Sequence, residues 1–252
     1  MVLLAALAAC GGGEHAPAAS RATADTARPA AAAAAPARAK RTILFVGTSL
    51  TAGLGLDLDS AYPARIQRRL DSLGESYDVI NAGVSGETSA GTLRRIDWLM
   101  RQPVDIVVLE TGANDGLRAL PVDSLRANLV AIIDSVRKAH PAATIVLAGM
   151  EAPPNLGPVY TRAFHAVFPA IAQEYHLPFI PFLLAGVGGV DSLNQGDGIH
   201  PNDRGERIVE ENVWRVLAPL VKQGSGARIQ DSGGREGRLG DQAEHPAPGA
   251  VP

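Results

Sequence analysis

One histidine of this chain follows a carboxylate at a spacing that suits proton-transfer chemistry. His200 stands three residues after Asp197 and directly before Pro201, in a glycine-rich loop. That spacing can bring the Asp197 carboxylate to the imidazole Nδ1, which fixes the tautomer and leaves Nε2 free as a base. The alternative is a structural hydrogen bond between the two side chains that only stabilises the loop. A metal site would need further ligands nearby, and the sequence clusters none around this pair.

Three other loops combine small and polar residues, each after a predicted strand. The first spans residues 47–53 (Gly-Thr-Ser-Leu-Thr-Ala-Gly), where small neighbours of Ser49 would let the backbone approach a substrate closely. A serine at a strand-to-helix junction can equally be a helix N-cap. Residues 81–86 (Asn-Ala-Gly-Val-Ser-Gly) and 111–116 (Thr-Gly-Ala-Asn-Asp-Gly) are also compatible with ordinary turns. Because ligands of open α/β sheets bind beyond the carboxyl ends of the strands, all three loops are candidates for a site.

Composition excludes several other classes of function. Lys plus Arg number 23 and Asp plus Glu 26, and the resulting net charge of −3 argues against a nucleic-acid binder. Gly53-Leu54-Gly55 begins a dinucleotide-like pattern, but Leu58 stands where a third glycine is needed, and there is no Walker sequence. No apolar run approaches the ~18–20 residues that span a bilayer as a helix. The one cysteine excludes an internal disulfide and a zinc site built mainly from thiolates.

The elements that must position these loops alternate between apolar strands and amphipathic helices. Residues 42–47 form a continuous apolar run, typical of a strand covered on both faces. The alternation predicts an α/β fold of three layers, α/β/α, with a mainly parallel five-stranded sheet and right-handed crossovers. The predicted strands are residues 42–47, 77–81, 104–110, 144–149 and 177–181, and the predicted helices are about 60–73, 88–101, 122–139, 160–175 and 202–217.

The N-terminal residues read as a targeting segment. Residues 2–9 form an apolar run of signal-peptide size, too short to span a membrane. Residues 7–10 (Leu-Ala-Ala-Cys) resemble the lipobox of bacterial lipoproteins, in which the cysteine becomes the acylated N-terminus. We therefore expect residues 1–10 to be a signal peptide ending at a lipidated Cys10. The alternative is a hydrophobic N-terminus with an incidental cysteine.

Low-complexity segments lie on both sides of the predicted domain. Residues 11–40 are rich in alanine and proline, and residues 223–252 are rich in glycine, proline and charge. Neither segment has enough large apolar side chains to offset the entropy cost of ordering. We predict a disordered tether and a disordered tail around a folded domain at residues 41–222. A lipidated Cys10 would place the protein in the bacterial cell envelope as a lipid-anchored lipoprotein.

The order of these loops along the chain resembles that of the SGNH hydrolases, also called GDSL-type esterases and lipases. The similarity covers essentially all of residues 41–222 and implies a flavodoxin-like α/β/α fold. Thr48 stands where the family usually has aspartate, which puts the hydrogen bonding of its loop in question rather than the nucleophile. The matching blocks are residues 47–50 (Gly-Thr-Ser-Leu), 81–83 (Asn-Ala-Gly), 112–115 (Gly-Ala-Asn-Asp) and 197–201 (Asp-Gly-Ile-His-Pro).

The resemblance implies a serine hydrolase mechanism. Ser49 would attack an acyl carbonyl after His200 removes its proton, and Asp197 would orient His200. The backbone N–H groups of Ser49 and Gly83 and the side-chain amide of Asn114 would form the oxyanion hole. Water would then hydrolyse the acyl-enzyme, and no cofactor or metal ion is required.

Residues 50–53, 114–118 and 197–202 are most similar to the branch of arylesterases, acyl-thioesterase I and lysophospholipases. The branch implies hydrolysis of aryl, short or medium acyl esters, with thioesters and lysophospholipids as further substrates. The alternatives are a polysaccharide O-deacetylase of the same fold and a catalytically silent envelope-binding lipoprotein. The expected partners are a small-molecule or lipid ester and, through Cys10, a membrane, but no nucleic acid. We expect a monomer.

Overall fold

The structure is a computed structural model that describes the backbone of residues 40–231 and the side chains as far as residue 223. The predicted signal peptide at residues 1–10, with Cys10, lies outside the described residues. The predicted tether up to residue 39 and the predicted tail beyond residue 231 also lie outside them.

Five parallel strands form one sheet, namely β1 (Arg41–Gly47), β2 (Tyr77–Gly83), β3 (Ile106–Glu110), β4 (Thr144–Ala148) and β5 (Phe179–Ile180). Their order is β2-β1-β3-β4-β5. All residues of β3 and nearly all of β4 are buried, as expected of apolar strands that helices cover on both faces. The predicted five-stranded parallel sheet is confirmed.

Seven α-helices and three short 3₁₀ turns connect the strands within residues 40–231. The helices are α1 (Ser49–Ala52), α2 (Tyr62–Ser72), α3 (Ser89–Leu99), α4 (Ala113–Leu117), α5 (Val122–Ala139), α6 (Pro158–Glu174) and α7 (Asp203–Asp231). Helix α2 packs against α7, and α5 packs against both α3 and α6. The buried side of α5 carries the apolar residues spaced three and four apart in the sequence, Leu125, Leu129, Ile132, Ile133 and Val136.

The strand order reverses at β1. The next strand along the chain, β2, lies on one side of β1, while β3 and the later strands lie on the other side. In a parallel sheet of this kind the loops that follow the strands separate at the reversal and leave a crevice at the carboxyl edge. The loops after β1, β2 and β3 are those that the sequence analysis selected.

The C-terminal helix differs from its predicted extent. The sequence predicted a helix over about 202–217 and a tail from residue 223, whereas α7 runs to Asp231 with Pro219 inside it. Leu217 and Val221 are both buried, so the apolar face of the helix continues past the proline. This packing carries the helix past its predicted end at residue 217 as far as Val221.

Candidate active site

The serine of the first loop lies on a tight turn between β1 and α1. Ser49 is the first residue of α1 and is 8% exposed, and the N-cap position belongs to Thr48, whose side chain makes no capping hydrogen bond. Ser49 is therefore not the N-cap. The turn requires a glycine before it, because a Cβ on Gly47 would lie 1.9 Å from the Thr51 Oγ1 and 2.7 Å from the Glu110 Oε2.

Ser49, His200 and Asp197 form a continuous hydrogen-bond chain. The Ser49 Oγ lies 2.8 Å from the His200 Nε2, and the His200 Nδ1 lies 2.6 Å from the Asp197 Oδ2. Because an ionised carboxylate only accepts hydrogen bonds, Nδ1 carries the proton. In the neutral ring Nε2 is then the acceptor for the Ser49 hydroxyl, which is the arrangement of a general base next to a nucleophile.

The Asp197 carboxylate is held in its ionised form. The hydrogen bond to the His200 ring has the largest effect, and the backbone N–H groups of Ile199 and His200 add to it by donating to Oδ1 over 2.9 and 3.0 Å. Together they lower the pKa of Asp197 far below its usual range. A carboxylate that is ionised throughout the neutral range keeps the imidazole in one tautomer.

The loop that carries His200 is tied to the loop after α1. The backbone N–H of Gln195 donates to the His200 carbonyl over 2.7 Å. The Gln195 side-chain amide donates to the carbonyl of Leu54 over 2.7 Å and to that of Pro201 over 2.9 Å. Gln195 therefore joins the loop that carries His200 to the loop after α1, the helix that begins with Ser49.

Asn114 lies at the same cavity and its amide group is fixed. Its Nδ2 donates to the Glu87 carbonyl over 3.0 Å, and this bond uses one of the two amide hydrogens. The second hydrogen remains available for a ligand. Asn114 lines the cavity together with Ser49 and His200, as the sequence analysis expected.

Gly83 lies elsewhere, and its assignment to an oxyanion hole needs correction. Its N–H donates to the Asn81 Oδ1 over 2.9 Å, and a Cβ on it would lie 2.4 Å from the backbone N of Ala52. Gly83 packs beneath α1 and lines a different cavity, which it shares with Ala52 and Asn81. The predicted second strand ends at residue 81, which places Gly83 in the following loop, whereas β2 includes Gly83.

The glycine of this loop that lines the cavity with Ser49 is Gly86, three residues later. Its φ is +77°, and no described residue accepts a hydrogen bond from its N–H. Its carbonyl accepts a hydrogen bond of 2.9 Å from the Arg118 Nη2. The sequence offered a signal for it, because residues 81–86 contain two glycines and Gly86 is the one that lies beyond the end of β2.

The cavity has a volume of about 430 Å³ and a mostly apolar wall. Leu117 and Pro153 line the cavity, while Phe164 is fully buried in the core. The Tyr160 hydroxyl donates to the Leu120 carbonyl over 2.8 Å and so braces the loop after α4. Further apolar lining residues are Leu50, Leu54, Met150, Phe182, Leu184 and Ile199.

A buried glutamate explains how threonine can replace the usual aspartate before the serine. Glu110, at the end of β3, accepts hydrogen bonds from the Thr48 backbone N–H over 2.7 Å and from the Thr48 Oγ1 over 2.9 Å. The Thr51 Oγ1 donates to the same carboxylate over 2.9 Å. Burial raises the pKa of Glu110, and these donors partly offset that rise. The loop hydrogen bonding that Thr48 put in question is therefore satisfied.

An ion pair fixes the second loop relative to the first. The Arg95 guanidinium donates to the Glu87 carboxylate through Nε and Nη2, over 2.8 and 2.6 Å. The Nη2 also donates to the Gly47 carbonyl over 3.3 Å. Since the Glu87 carbonyl holds Asn114, this network connects the ends of β1 and β2 to the third loop.

The part of the chain that the structure describes contains no group of three His, Cys, Asp or Glu side chains that could hold a metal ion. In the same residues no helix combines the length and apolar character needed to cross a membrane.

Residues 45–208 match the model of the GDSL-like lipase/acylhydrolase family. The chain belongs to this family. It is 42% identical over 184 residues to the esterase TesA of Pseudomonas aeruginosa, a match covering 73% of this chain and 90% of that protein. It is 34% identical over 190 residues to the thioesterase 1/protease 1/lysophospholipase L1 of Escherichia coli K12, covering 75% of this chain and 89% of that protein.

A solved structure agrees with these sequence relatives. The crystal structure of the psychrotrophic esterase EstA from Pseudoalteromonas sp., inhibited by monoethylphosphonate, has a TM-score of 0.68 at 32% identity. The match covers 73% of this chain and all of that chain (100%). The chain is thus an SGNH serine esterase that acts on ester bonds of small molecules, and the resemblance, fold and enzyme class expected from the sequence are confirmed.

Proposed function

We propose that Ser49 is the nucleophile of this esterase, His200 its general base and Asp197 the group that orients the imidazole. The Ser49 Oγ would attack the ester carbonyl while the His200 Nε2 takes its proton. The imidazolium would then protonate the leaving alcohol. In the second half-reaction water attacks the acyl-enzyme by the same route. The observation that carries the proposal is the hydrogen-bond chain of 2.8 and 2.6 Å through the three side chains.

We propose an oxyanion hole made of the backbone N–H groups of Ser49 and Gly86 and the Nδ2 of Asn114. The Ser49 N–H is at the first residue of α1, so it has no acceptor within that helix. The Gly86 N–H has no described acceptor, and the Asn114 amide has one hydrogen left. Donors with a free hydrogen and a fixed orientation stabilise the charge that develops on the carbonyl oxygen.

The substrates we propose are aryl esters and short or medium acyl esters. The apolar wall of the cavity supports this class, because an acyl chain or aromatic ring gains free energy by leaving water there. The names of the relatives, esterase TesA and thioesterase 1/protease 1/lysophospholipase L1, add thioesters and lysophospholipids to the candidates. The apolar wall gives no comparable support to an acetylated polysaccharide.

We also propose that the protein is a monomer anchored in the bacterial cell envelope through lipid on Cys10. The lipobox-like residues 7–10 and the alanine- and proline-rich segment after them support this proposal. Mass spectrometry of the mature protein tests it: diacylated or triacylated Cys10 at the N-terminus is expected, and an unmodified Cys10 inside an intact chain would contradict it.

The catalytic assignment is tested on the full chain with p-nitrophenyl esters of increasing acyl length. Ser49→Ala should lower kcat by several orders of magnitude and abolish labelling by a fluorophosphonate. Ser72→Ala is the matched control, because that serine is exposed on α2 and its hydroxyl bonds only to the Arg69 carbonyl. Full hydrolysis by a folded Ser49→Ala variant would overturn the assignment, and the preferred acyl length would measure the pocket.

A further inference from the structure

The wall of the catalytic cavity contains a carboxylate that the mechanism does not use. Among the described residues that line the cavity, Glu151 is the only acidic one, and the side chains around it are mostly apolar. It follows β4 at the carboxyl edge of the sheet. Met150 and Ala152 on either side of it are buried, whereas its own side chain is 40% exposed. The chain therefore turns Glu151 outward to the cavity.

A second imidazole accompanies this carboxylate. The Nδ1 of His165, on α6, lies 2.6 Å from the Glu151 Oε1, and no other described group makes a hydrogen bond or ion pair with the carboxylate. The Glu151 Oε2 thus has no described partner. No described lysine or arginine lines the cavity, and Arg118 bonds to the Gly86 carbonyl instead. A negative charge consequently stands in the cavity wall without a guanidinium or ammonium partner.

We infer that Glu151 sets the charge preference of the site and makes it select esters without a negative charge. The inference rests on the proposed function, because it concerns substrates of the same cavity. A carboxylate in an apolar wall repels an anionic group on the acyl or the alcohol side of the substrate more strongly than it would in water. Of the candidate esters, neutral acyl and aryl esters are then preferred over phosphate-bearing lysophospholipids.

The size of the effect follows from the distance across such a cavity. Two unit charges about 8 Å apart at an effective dielectric constant of about 40 change kcat/KM roughly fivefold. Replacing the carboxylate by a neutral group should remove this factor, and replacing it by a cation should invert it. Added salt should weaken the discrimination, since screening acts over about 8–10 Å.

Matched substrate pairs test the inference on the full chain. One pair is 4-acetoxybenzoate and methyl 4-acetoxybenzoate, which differ in the charge of the alcohol side. The other is the p-nitrophenyl monoester of adipic acid and its methyl ester, which differ in the charge of the acyl side. For each pair the ratio of kcat/KM, neutral over anionic, is measured for the wild type, Glu151→Gln and Glu151→Lys. Because each ratio is taken within one variant, overall losses of activity cancel.

Two further variants serve as controls. Glu174→Gln removes an equivalent carboxylate on α6 that pairs with Arg126 and does not line the cavity. His165→Gln removes the partner of Glu151 while the carboxylate stays. Glu174→Gln should keep the ratio of the wild type. His165→Gln should keep it or raise it, because any positive charge beside Glu151 is lost.

For at least one pair we expect the ratio of kcat/KM, neutral over anionic, to be roughly fivefold lower in Glu151→Gln than in the wild type. In Glu151→Lys it should be roughly fivefold lower again. Ratios unchanged within twofold in both pairs and both variants would overturn the inference while leaving the esterase proposal intact. A wild type that hydrolyses neither the neutral nor the anionic esters would instead overturn the proposed function. An equal drop in Glu174→Gln would assign the discrimination to the net charge of the protein and so also overturn the inference.

Discussion

Replacing Glu206 with glutamine should stabilise this protein at neutral and alkaline pH. Glu206 is buried at the start of α7, and its Oε2 accepts a hydrogen bond of 2.7 Å from the backbone N–H of Tyr62 at the start of α2. Burial raises the pKa of Glu206 from its usual 4.5 to about 8, although the Tyr62 N–H and the Arg65 guanidinium act in the opposite direction. A glutamine oxygen can accept the same hydrogen bond without carrying a charge.

The magnitude follows from proton linkage. The native state holds this proton between about pH 4.5 and pH 8, where the unfolded chain has released it, so the contribution of Glu206 to stability falls as the pH rises through that window. One pKa unit corresponds to about 1.4 kcal/mol. The cost of the glutamate therefore grows by at most about 1.4 kcal/mol per pH unit and reaches about 4 kcal/mol near pH 8.

Urea unfolding of both proteins at pH 5, 6, 7, 8 and 9 measures this effect. The quantity of interest is the difference in unfolding free energy between Glu206→Gln and the wild type, because the other titrating groups cancel in it. We expect the difference to rise steadily in favour of glutamine up to about pH 8 and then to level off. Glu174→Gln, which neutralises an exposed carboxylate in an ion pair with Arg126, should change stability by less than about 1 kcal/mol. A difference that does not depend on pH, or that favours glutamate at pH 8, would refute the reasoning.

Three further predictions concern the catalytic site. Asp197→Asn should lower kcat about 10⁴-fold in steady-state assays. An asparagine that donates to the His200 Nδ1 leaves the ring proton on Nε2, which then cannot accept the Ser49 proton. An effect on KM alone would contradict the role given to Asp197. Asn114→Ala should lower kcat about 10²–10³-fold through loss of one oxyanion donor, and stopped-assay kinetics that show only a raised KM would contradict it. Gly86→Ala should reduce kcat, because it strains a residue whose φ is +77°. Gly83→Ala should instead lower the melting temperature, because its Cβ would lie 2.4 Å from the Ala52 backbone N. Calorimetry and kinetics on both variants separate the two glycines.

The fold was predictable because its central strands are nearly pure apolar runs and its long helices have a clear apolar period. For α5 the predicted and observed bounds coincide at Val122–Ala139. Helices α1 and α4, of 4 and 5 residues, could not be found in this way, because one turn of helix has no period to detect. Helix α1 packs against β1 and β2, and α4 is joined to the start of α3 by the hydrogen bonds between Asp115 and Ser89.

The proposed catalytic residues could be selected from the sequence because their spacing is local or their motif is recognisable. Asp197 and His200 are three residues apart, and Ser49 lies in a loop of small residues. The proposed oxyanion glycine, Gly86, was not selected, because the family resemblance pointed to Gly83. The pairing of β2 with β1 extends to Gly83, and no local signal in the sequence marks that strand end. Buried acids such as Glu206 were also invisible, since nothing in the sequence separates a buried glutamate from a solvated one.

Three buried carboxylates have the same role at the starts of helices. Glu110 accepts the backbone N–H of Thr48, Asp115 accepts that of Ser89 over 2.8 Å, and Glu206 accepts that of Tyr62. Each acid comes from a distant part of the chain and binds an N–H just before or at the start of a helix, where negative charge is favoured.

The first two of these bonds act on the loops that carry the proposed catalytic groups. Because Glu110 fixes both the N–H and the hydroxyl of Thr48, the orientation of Ser49 depends on β3 and not only on its own loop. Asp115 binds the N–H and the hydroxyl of Ser89 and so joins the start of α3 to α4, which carries Asn114. The proposed nucleophile and the proposed side-chain oxyanion donor are thus held by long-range hydrogen bonds. Threonine at position 48 is therefore accepted, because its N–H and its hydroxyl both donate to the buried Glu110.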